Sequence, residues 1–232
     1  MKSLAVIQHD SAEYLGLIED HLEGRRIRFQ YFRPFTEGGK LPASQDMKDG
    51  LVILGGGPWG TAGARDVPTL KEEIEITRAC YMAGRPIIAI GLGAQILALA
   101  ADGGSKAAPL TFRAGYAMRT VDDALNGYLP ERFPHVVYMR DKPVVPNFAK
   151  ILAVDEDDEP AIFQIGANIF GFTGHPGMKL AIAEDLIMEF EEGPENPGET
   201  LKTLGAMKKE IEDSLVGVMT GLVQLTGLMS TN

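Results

Sequence analysis

The chain has 232 residues, 45% of them hydrophobic and 23% charged, enough to bury one substantial core as a single α/β domain with additions. Its formal charge of −10 repels phosphates, which argues against nucleic acid or an anionic membrane as a partner. No apolar run approaches the roughly 20 residues needed to cross a bilayer, and residues 1–10 lack the regions of a signal peptide, so the expected address is the cytoplasm; the single cysteine, Cys80, permits neither an internal disulfide nor a cysteine zinc cluster.

Residues 4–8 read as a short apolar strand ending at His9-Asp10. Ser11 is placed to cap a helix through about residue 23, with Leu15, Ile18 and Leu22 on one face. His9 stands at the carboxyl end of a strand, where α/β folds bind ligands, and is open to a structural or a ligand-binding role. Residues 27–32 are a second strand and residues 50–54 a third, which runs into Gly55-Gly56-Gly57-Pro58-Trp59-Gly60. Backbone N–H groups approach a ligand closely only where no Cβ intervenes, so this run is either a tight turn or a binding loop. Residues 70–83 form a charged helix closed by Gly84, with Cys80 inside it as a small buried hydrophobe.

Residues 86–101 are the centre of the pattern. Pro86 to Ile90 is apolar without alternation, as in a strand buried on both faces, and helical spacing begins by Ala94. A sharp strand-to-helix turn lifts its tip residue above the sheet and aims the first helical N–H groups at whatever sits there. Here the tip is Gly91.

Together with Phe170-Gly171-Phe172-Thr173-Gly174-His175-Pro176-Gly177, these segments resemble the class I glutamine amidotransferase domain, the glutaminase module of GMP synthetase and its stand-alone relatives, over about residues 1–190. The resemblance implies an open, mostly parallel, flavodoxin-like sheet with helices on both faces. In that family the elbow reads G-x-C-x-G-x-Q and the later motif ends H-P-E, supplying a Cys-His-Glu triad. Carried over, the nucleophile position falls on Gly91, the histidine on His175 and the glutamate on Gly177. Gly93 and Gln95 are retained, and Gly55, Gly56 and Gly57 with the N–H of Leu92 correspond to the oxyanion hole.

Glutamine hydrolysis in the family runs through a thioester, and glycine has no atom with which to attack. Glycine does adopt freely the positive φ of an elbow, which strains other residues by roughly 1–3 kcal/mol. Neither Cys80 nor Ser105 is expected within reach of His175. The family's E-x-G and H-G-D-like segments have only Arg113-Ala114-Gly115 and Tyr138-Met139-Arg140-Asp141 as counterparts. His175 is open to two readings: a residue left from an active ancestor, or a ligand contact over the glycine loop.

Residues 133–138, 149–154 and 161–165 read as strands, with the acidic run 155–159 as a solvated hairpin turn that lacks EF-hand spacing. Residues 179–192 form an amphipathic helix and 193–198 a break, dividing the chain into an amidotransferase-like domain over 1–192 and a helical extension over 193–232. In residues 199–229, Leu204, Met207 or Lys208, Ile211, Leu215, Val218, Leu222, Leu225 and Met229 make a heptad-like stripe, with Gly217 and Gly221 positioned for close helix approach. The stripe either folds back on its own domain or, as the favoured expectation, mediates homo-oligomerisation or docking to a partner protein. The sequence thus points to a binding, regulatory or assembly subunit without glutaminase activity, holding a small polar ligand such as glutamine or a carboxylate and needing no cofactor or metal. The alternative is an active amidotransferase or amide hydrolase using an unrecognised nucleophile or a water held by His175.

Overall fold

The computed structural model describes residues 1–229; the last three residues of the 193–232 extension lie outside the described residues. In chain order it contains β1 (Ser3–Ile7), α1 (Leu17–Gly24), β2 (Arg28–Phe32), β3 (Leu51–Ile53), α2 (Leu70–Met82), β4 (Ile87–Ile90) and α3 (Leu92–Ala100). There follow β5 (Gly104–Lys106), β6 (Thr111–Arg119), β7 (Arg132–Met139), β8 (Lys142–Val144), β9 (Lys150–Asp155), β10 (Pro160–Ile165) and β11 (Ile169–Phe172). The helices α4 (Leu180–Glu189), α5 (Pro197–Ala206) and α6 (Lys208–Leu225) close the chain.

Nine strands form one open sheet in the order β2-β1-β3-β4-β11-β10-β9-β6-β7, and β5 pairs with β8 in a small ribbon. From β2 to β11 the pairing is parallel; from β11 to β7 it is antiparallel. Inside the parallel half, β1, β3, β4 and β11 are buried on both faces, which is why they read as apolar runs, whereas the edge strand β2 exposes Arg28 and Gln30. Alternate residues divide between two cores: Leu4, Val6, Val52, Leu54, Ile88 and Ile90 pack with α1 and α6, whereas Ala5, Ile7, Leu51, Ile53, Ile87 and Ala89 pack with α2 and α3. Cys80 belongs to the second core, 1% exposed, with its thiol pushed up in pKa by burial.

β6 and β7 pair along Thr111 to Met118, but β9 joins β6 only over Ala117 to Arg119. The free part of the hairpin reaches the His175 segment, where the His175 N–H donates to the Val136 carbonyl at 2.8 Å. The acidic run is the β9–β10 turn: one Asp155 carboxyl oxygen accepts from the N–H groups of Asp157 (2.9 Å) and Glu159 (3.1 Å).

Two local expectations are corrected. Helix α1 begins at Leu17 with no side-chain cap; the Ser11 hydroxyl instead donates to Glu189 at 2.8 Å, and it is Asp10 that turns the chain by accepting from the N–H groups of Ala12 (2.9 Å) and Glu13 (2.7 Å). The expected tail helix is two helices meeting at Met207, and its stripe faces inward as far as Leu222: Leu204, Met207, Ile211, Leu215, Val218 and Leu222 are each no more than 4% exposed, whereas Leu225 is half-buried and Met229 exposed. Close approach through Gly217 and Gly221 does occur, but the neighbour is the chain's own turn, at the carbonyls of Tyr128 and Leu125. The favoured expectation of a free associating stripe therefore gives way to the fold-back reading, because this apolar face completes one side of the sheet.

A Cβ at Gly221 would overlap the Leu125 carbonyl oxygen and stand 2.5 Å from its Cβ. Gly221→Ala is expected to lower the unfolding free energy by about 1–3 kcal/mol through overpacking. Gly205→Ala, whose Cβ meets only Leu180 Cδ2 at 3.9 Å, should instead gain up to about 1 kcal/mol from helix propensity, and urea melts of both variants check the contrast.

Candidate functional site

The expected elbow is present. Gly91, between β4 and α3, has φ 56° and ψ −115°, the left-handed side of backbone space that favours glycine. Its N–H donates to the Phe172 carbonyl at 2.8 Å, fastening the elbow to the end of β11. A Cβ built on Gly91 would meet only Gly55, with Cα at 3.3 Å and N at 4.0 Å, so the tip lies against the glycine loop as the sequence implied. Helix α3 starts at Leu92, two residues earlier than its apolar spacing announces.

The glycine loop is not an open cradle. A Cβ on Gly55 would fall inside the carboxyl group of Glu13; one on Gly56 would be 2.5 Å from Leu92 Cδ2; one on Gly57 would be 2.8 Å from Phe190 Cε2. The absence of side chains lets other parts of the same protein approach the backbone. Leu92 is itself 1% exposed and serves the α2–α3 core.

His175 is 4% exposed and both of its ring nitrogens are engaged. Nε2 lies 2.7 Å from the Tyr14 carbonyl, which can only accept, and the Gly177 N–H donates to Nδ1 at 3.1 Å. The two partners fix the neutral tautomer with its proton on Nε2. Burial, which exceeds the opposing effect of the Tyr14 carbonyl, lowers the pKa to about 4. A Cβ on Gly177 would be 2.9 Å from Ile18 Cγ1, 3.0 Å from the Ile18 nitrogen and 3.2 Å from the Leu15 oxygen. The Gly177 carbonyl also accepts from the first N–H of α1, that of Leu17, at 2.9 Å.

Gln95 is likewise occupied. Its carbonyl oxygen accepts from the Thr61 hydroxyl at 2.6 Å and its amide donates to the Arg140 carbonyl at 2.7 Å. Asp141 accepts from the N–H groups of Thr61 (2.9 Å), Ala62 (3.0 Å) and Ala108 (3.1 Å), and Arg140 reaches the Pro58 carbonyl at 2.8 Å and pairs with Glu192. These bonds tie the loop after Gly57 to the end of β7. Ser105 shares a hydrogen bond with Thr61 at 2.6 Å, and no contact joins it to His175.

Sequence reasoning singled out His9 behind the loop but missed the carboxyl groups that surround it. His9 Nδ1 donates to the Gly55 carbonyl at 2.8 Å, while Nε2 lies 2.8 Å from Glu73, whose other oxygen accepts from Thr69 at 2.5 Å. Burial disfavours the imidazolium, but the charge and hydrogen bond of Glu73, with the Gly55 carbonyl, outweigh it and raise His9 to about 9. Beside it, burial first and Asp10 second raise Glu13 to about 8, against the Gly57 and Gly55 N–H groups and His9, which favour its charged form. Asp10 is raised to about 6, by burial and to a lesser degree by Glu189. Tyr138 is pushed up to about 12 by burial, Glu13, Asp10 and Glu192. The spacing Glu73, Thr77, Cys80 on the buried face of α2 was the available signal: one carboxyl among residues that face the core.

The pH consequences follow from the signs. A raised pKa on His9, Asp10 or Glu13 means that the folded state holds a proton the unfolded chain would release, so their contribution to stability is present at low pH and lost as pH rises toward about 9. The lowered values of His175 and His135, both about 4, act oppositely and cost stability as pH falls below 6.5. Stability is therefore expected to decline from about pH 6 to about pH 9. Glu13→Gln, neutral at every pH, should make that decline shallower in urea melts taken across the range.

The fold agrees with comparisons to known proteins. The family described as "Glutamine amidotransferase class-I" matches residues 10–190. The glutamine amidotransferase-like protein YfeJ of Salmonella typhimurium is 25% identical over 192 residues, 80% of each chain. Among solved structures, a glutamine amidotransferase from Thermotoga maritima superposes with a TM-score of 0.79 at 21% identity, covering 97% of this chain and 98% of its own. A glutamine amidotransferase from Methylobacillus flagellatus gives 0.81 at 21% identity, covering 97% and 95%. The chain belongs to the class I glutamine amidotransferase family.

Proposed function

We propose that this protein is a member of its family that does not hydrolyse glutamine and acts in the cytoplasm as a binding, regulatory or assembly subunit. The observation that carries the reading is the pairing of an elbow tip without a side chain, Gly91, with a histidine whose two nitrogens are both committed to the backbone. A thioester route needs a thiolate and a base that takes its proton; the tip offers no sulfur and His175 no free lone pair. The same engagement weighs against a water activated by His175, because Nδ1 already accepts from Gly177. An oxyanion hole alone leaves about 10³–10⁴ of acceleration over water in serine proteases. Here even that loop is covered by Glu13, Leu92 and Phe190.

Packing supports this reading. A Cβ at position 177 would stand 2.9 Å from Ile18 Cγ1, 3.0 Å from the Ile18 nitrogen and 3.2 Å from the Leu15 oxygen, so a glutamate there requires residues 15–18 to shift. Assembly through residues 199–229 would use outward side chains such as Val216 and the stripe's last member, Met229, both 53% exposed, since the stripe from Leu204 to Leu222 is spent on the domain.

Purified protein is expected to show no glutaminase turnover and no labelling of Cys80 by a glutamine-analogue electrophile. Turnover above about 1 s⁻¹, within the ordinary enzyme range, would overturn the proposal.

A further inference from the structure

Glu13 comes from the connection between β1 and α1, yet its carboxyl group ends against the backbone of Gly55, on the loop that corresponds to an oxyanion hole. It is 2% exposed. Its approach depends on the missing Cβ at Gly55, and the Gly57 and Gly55 N–H groups favour its ionised form. The Gly55 peptide is pinned from the other side by His9, itself held by Glu73. The loop is thus held on one side by His9 and contacted on the other by Glu13.

Three buried oxygens in this region have no hydrogen-bond partner: Glu13 Oε2, Asp10 Oδ2 and Tyr138 Oη. An unpaired buried polar atom costs about 1–3 kcal/mol, and native proteins keep few of them without a functional reason. The Tyr138 hydroxyl is close enough to Glu13 and Asp10 for both to perturb it, although it lies on β7, far from them in sequence. Two parts of the fold, the β1–α1 connection and β7, thus bring spare donors and acceptors near the loop that Glu13 contacts.

We infer that the glycine loop is a seat for a terminal carboxyl or carboxamide group, and that Glu13 is its built-in occupant, which a ligand bearing such a group must displace. The chemistry narrows the class. Raised by burial and by Asp10, Glu13 holds its proton near neutral pH, so it presents one donor and one acceptor on a planar fork, the pattern of a primary carboxamide. A tethered occupant competes at the millimolar or higher effective concentration typical of short flexible links, so weak free ligands do not enter the unmodified seat. Displacement also has a path outward. Residues 10–16 lead into α1, whose first N–H is bonded to Gly177 beside His175, and Ser11 is bonded to Glu189 on α4. Occupancy of the loop is thereby connected to two surface helices.

The inference rests on the non-catalytic reading of the elbow, and its test reads binding rather than turnover, so the two fail separately. Amide resonances of Gly55 and Gly57 are followed in ¹⁵N-labelled protein while acetamide, then acetate, is added. In Glu13→Ala both resonances should move saturably, with acetamide binding at least about tenfold tighter than to the unmodified protein. Glu13→Gln, which refills the seat with a carboxamide, should respond no more than the unmodified protein. Equal response, or none, in Glu13→Ala would overturn the inference. A second measurement does not need that variant to fold. Over the range in which Glu13 ionises, with Asp10, His9, Glu73, Tyr138 and Glu189 around it, the Gly55 and Gly57 resonances should shift with pH, and the shift should largely vanish in Glu13→Gln. An unchanged pH response would contradict Glu13 as the occupant.

Discussion

The path of residues 10–18 between β1 and α1 lies where two glycines leave no room for anything larger. Glu13 rests on Gly55, while Leu15 and Ile18 press on Gly177, and Gly16 in turn has no space for a side chain because the Gly177 carbonyl stands there. Interiors are close-packed, so these approaches act as a lock: any residue but glycine at 55 or 177 must push the connection away. The two positions that depart from, or retain, the family pattern are thus governed by one segment. The close approaches at Gly55 and at Gly177 are made by the same segment, from two sides.

His9 and His175 show how partner chemistry decides charge when burial is equal. Both are 4% exposed. His9 faces two acceptors, a carbonyl and a carboxyl group, and so keeps both protons; His175 faces one carbonyl acceptor and one N–H donor, and so keeps one. The first histidine braces the glycine loop as a cation. The second closes the turn after β11 as a neutral strut, far from the poised pKa that a general base requires.

The parallel half of the sheet was legible because β1, β3 and β4 are buried on both faces and contain no polar interruption. The elbow followed from the same strand and the change to helical spacing. β6 was not legible: Arg113, Gly115 and Arg119 break its apolar pattern, since most of the strand pairs only with β7 and lacks a neighbour on its other edge beyond Ala117 to Arg119. The tail's periodicity announced a covered face without saying what covers it, and Gly217 and Gly221 fit their own turn as well as they would fit a partner helix. Glu13 and Glu73 were invisible for a different reason: a carboxyl group in a polar connection or on a charged helix reads as solvated unless its fold-level neighbours are known. Gly55-Gly56-Gly57 suggested that something approaches closely, and the approaching group proved to be part of the chain.

The central claim, that His175 is a backbone-bound strut and not a base, is open to direct measurement by long-range ¹H–¹⁵N NMR of the imidazole rings. The Nε2-protonated neutral tautomer should persist through the ordinary histidine value of 6.5 and titrate only near about 4. A proton on Nδ1, or titration near 6.5, would contradict the account.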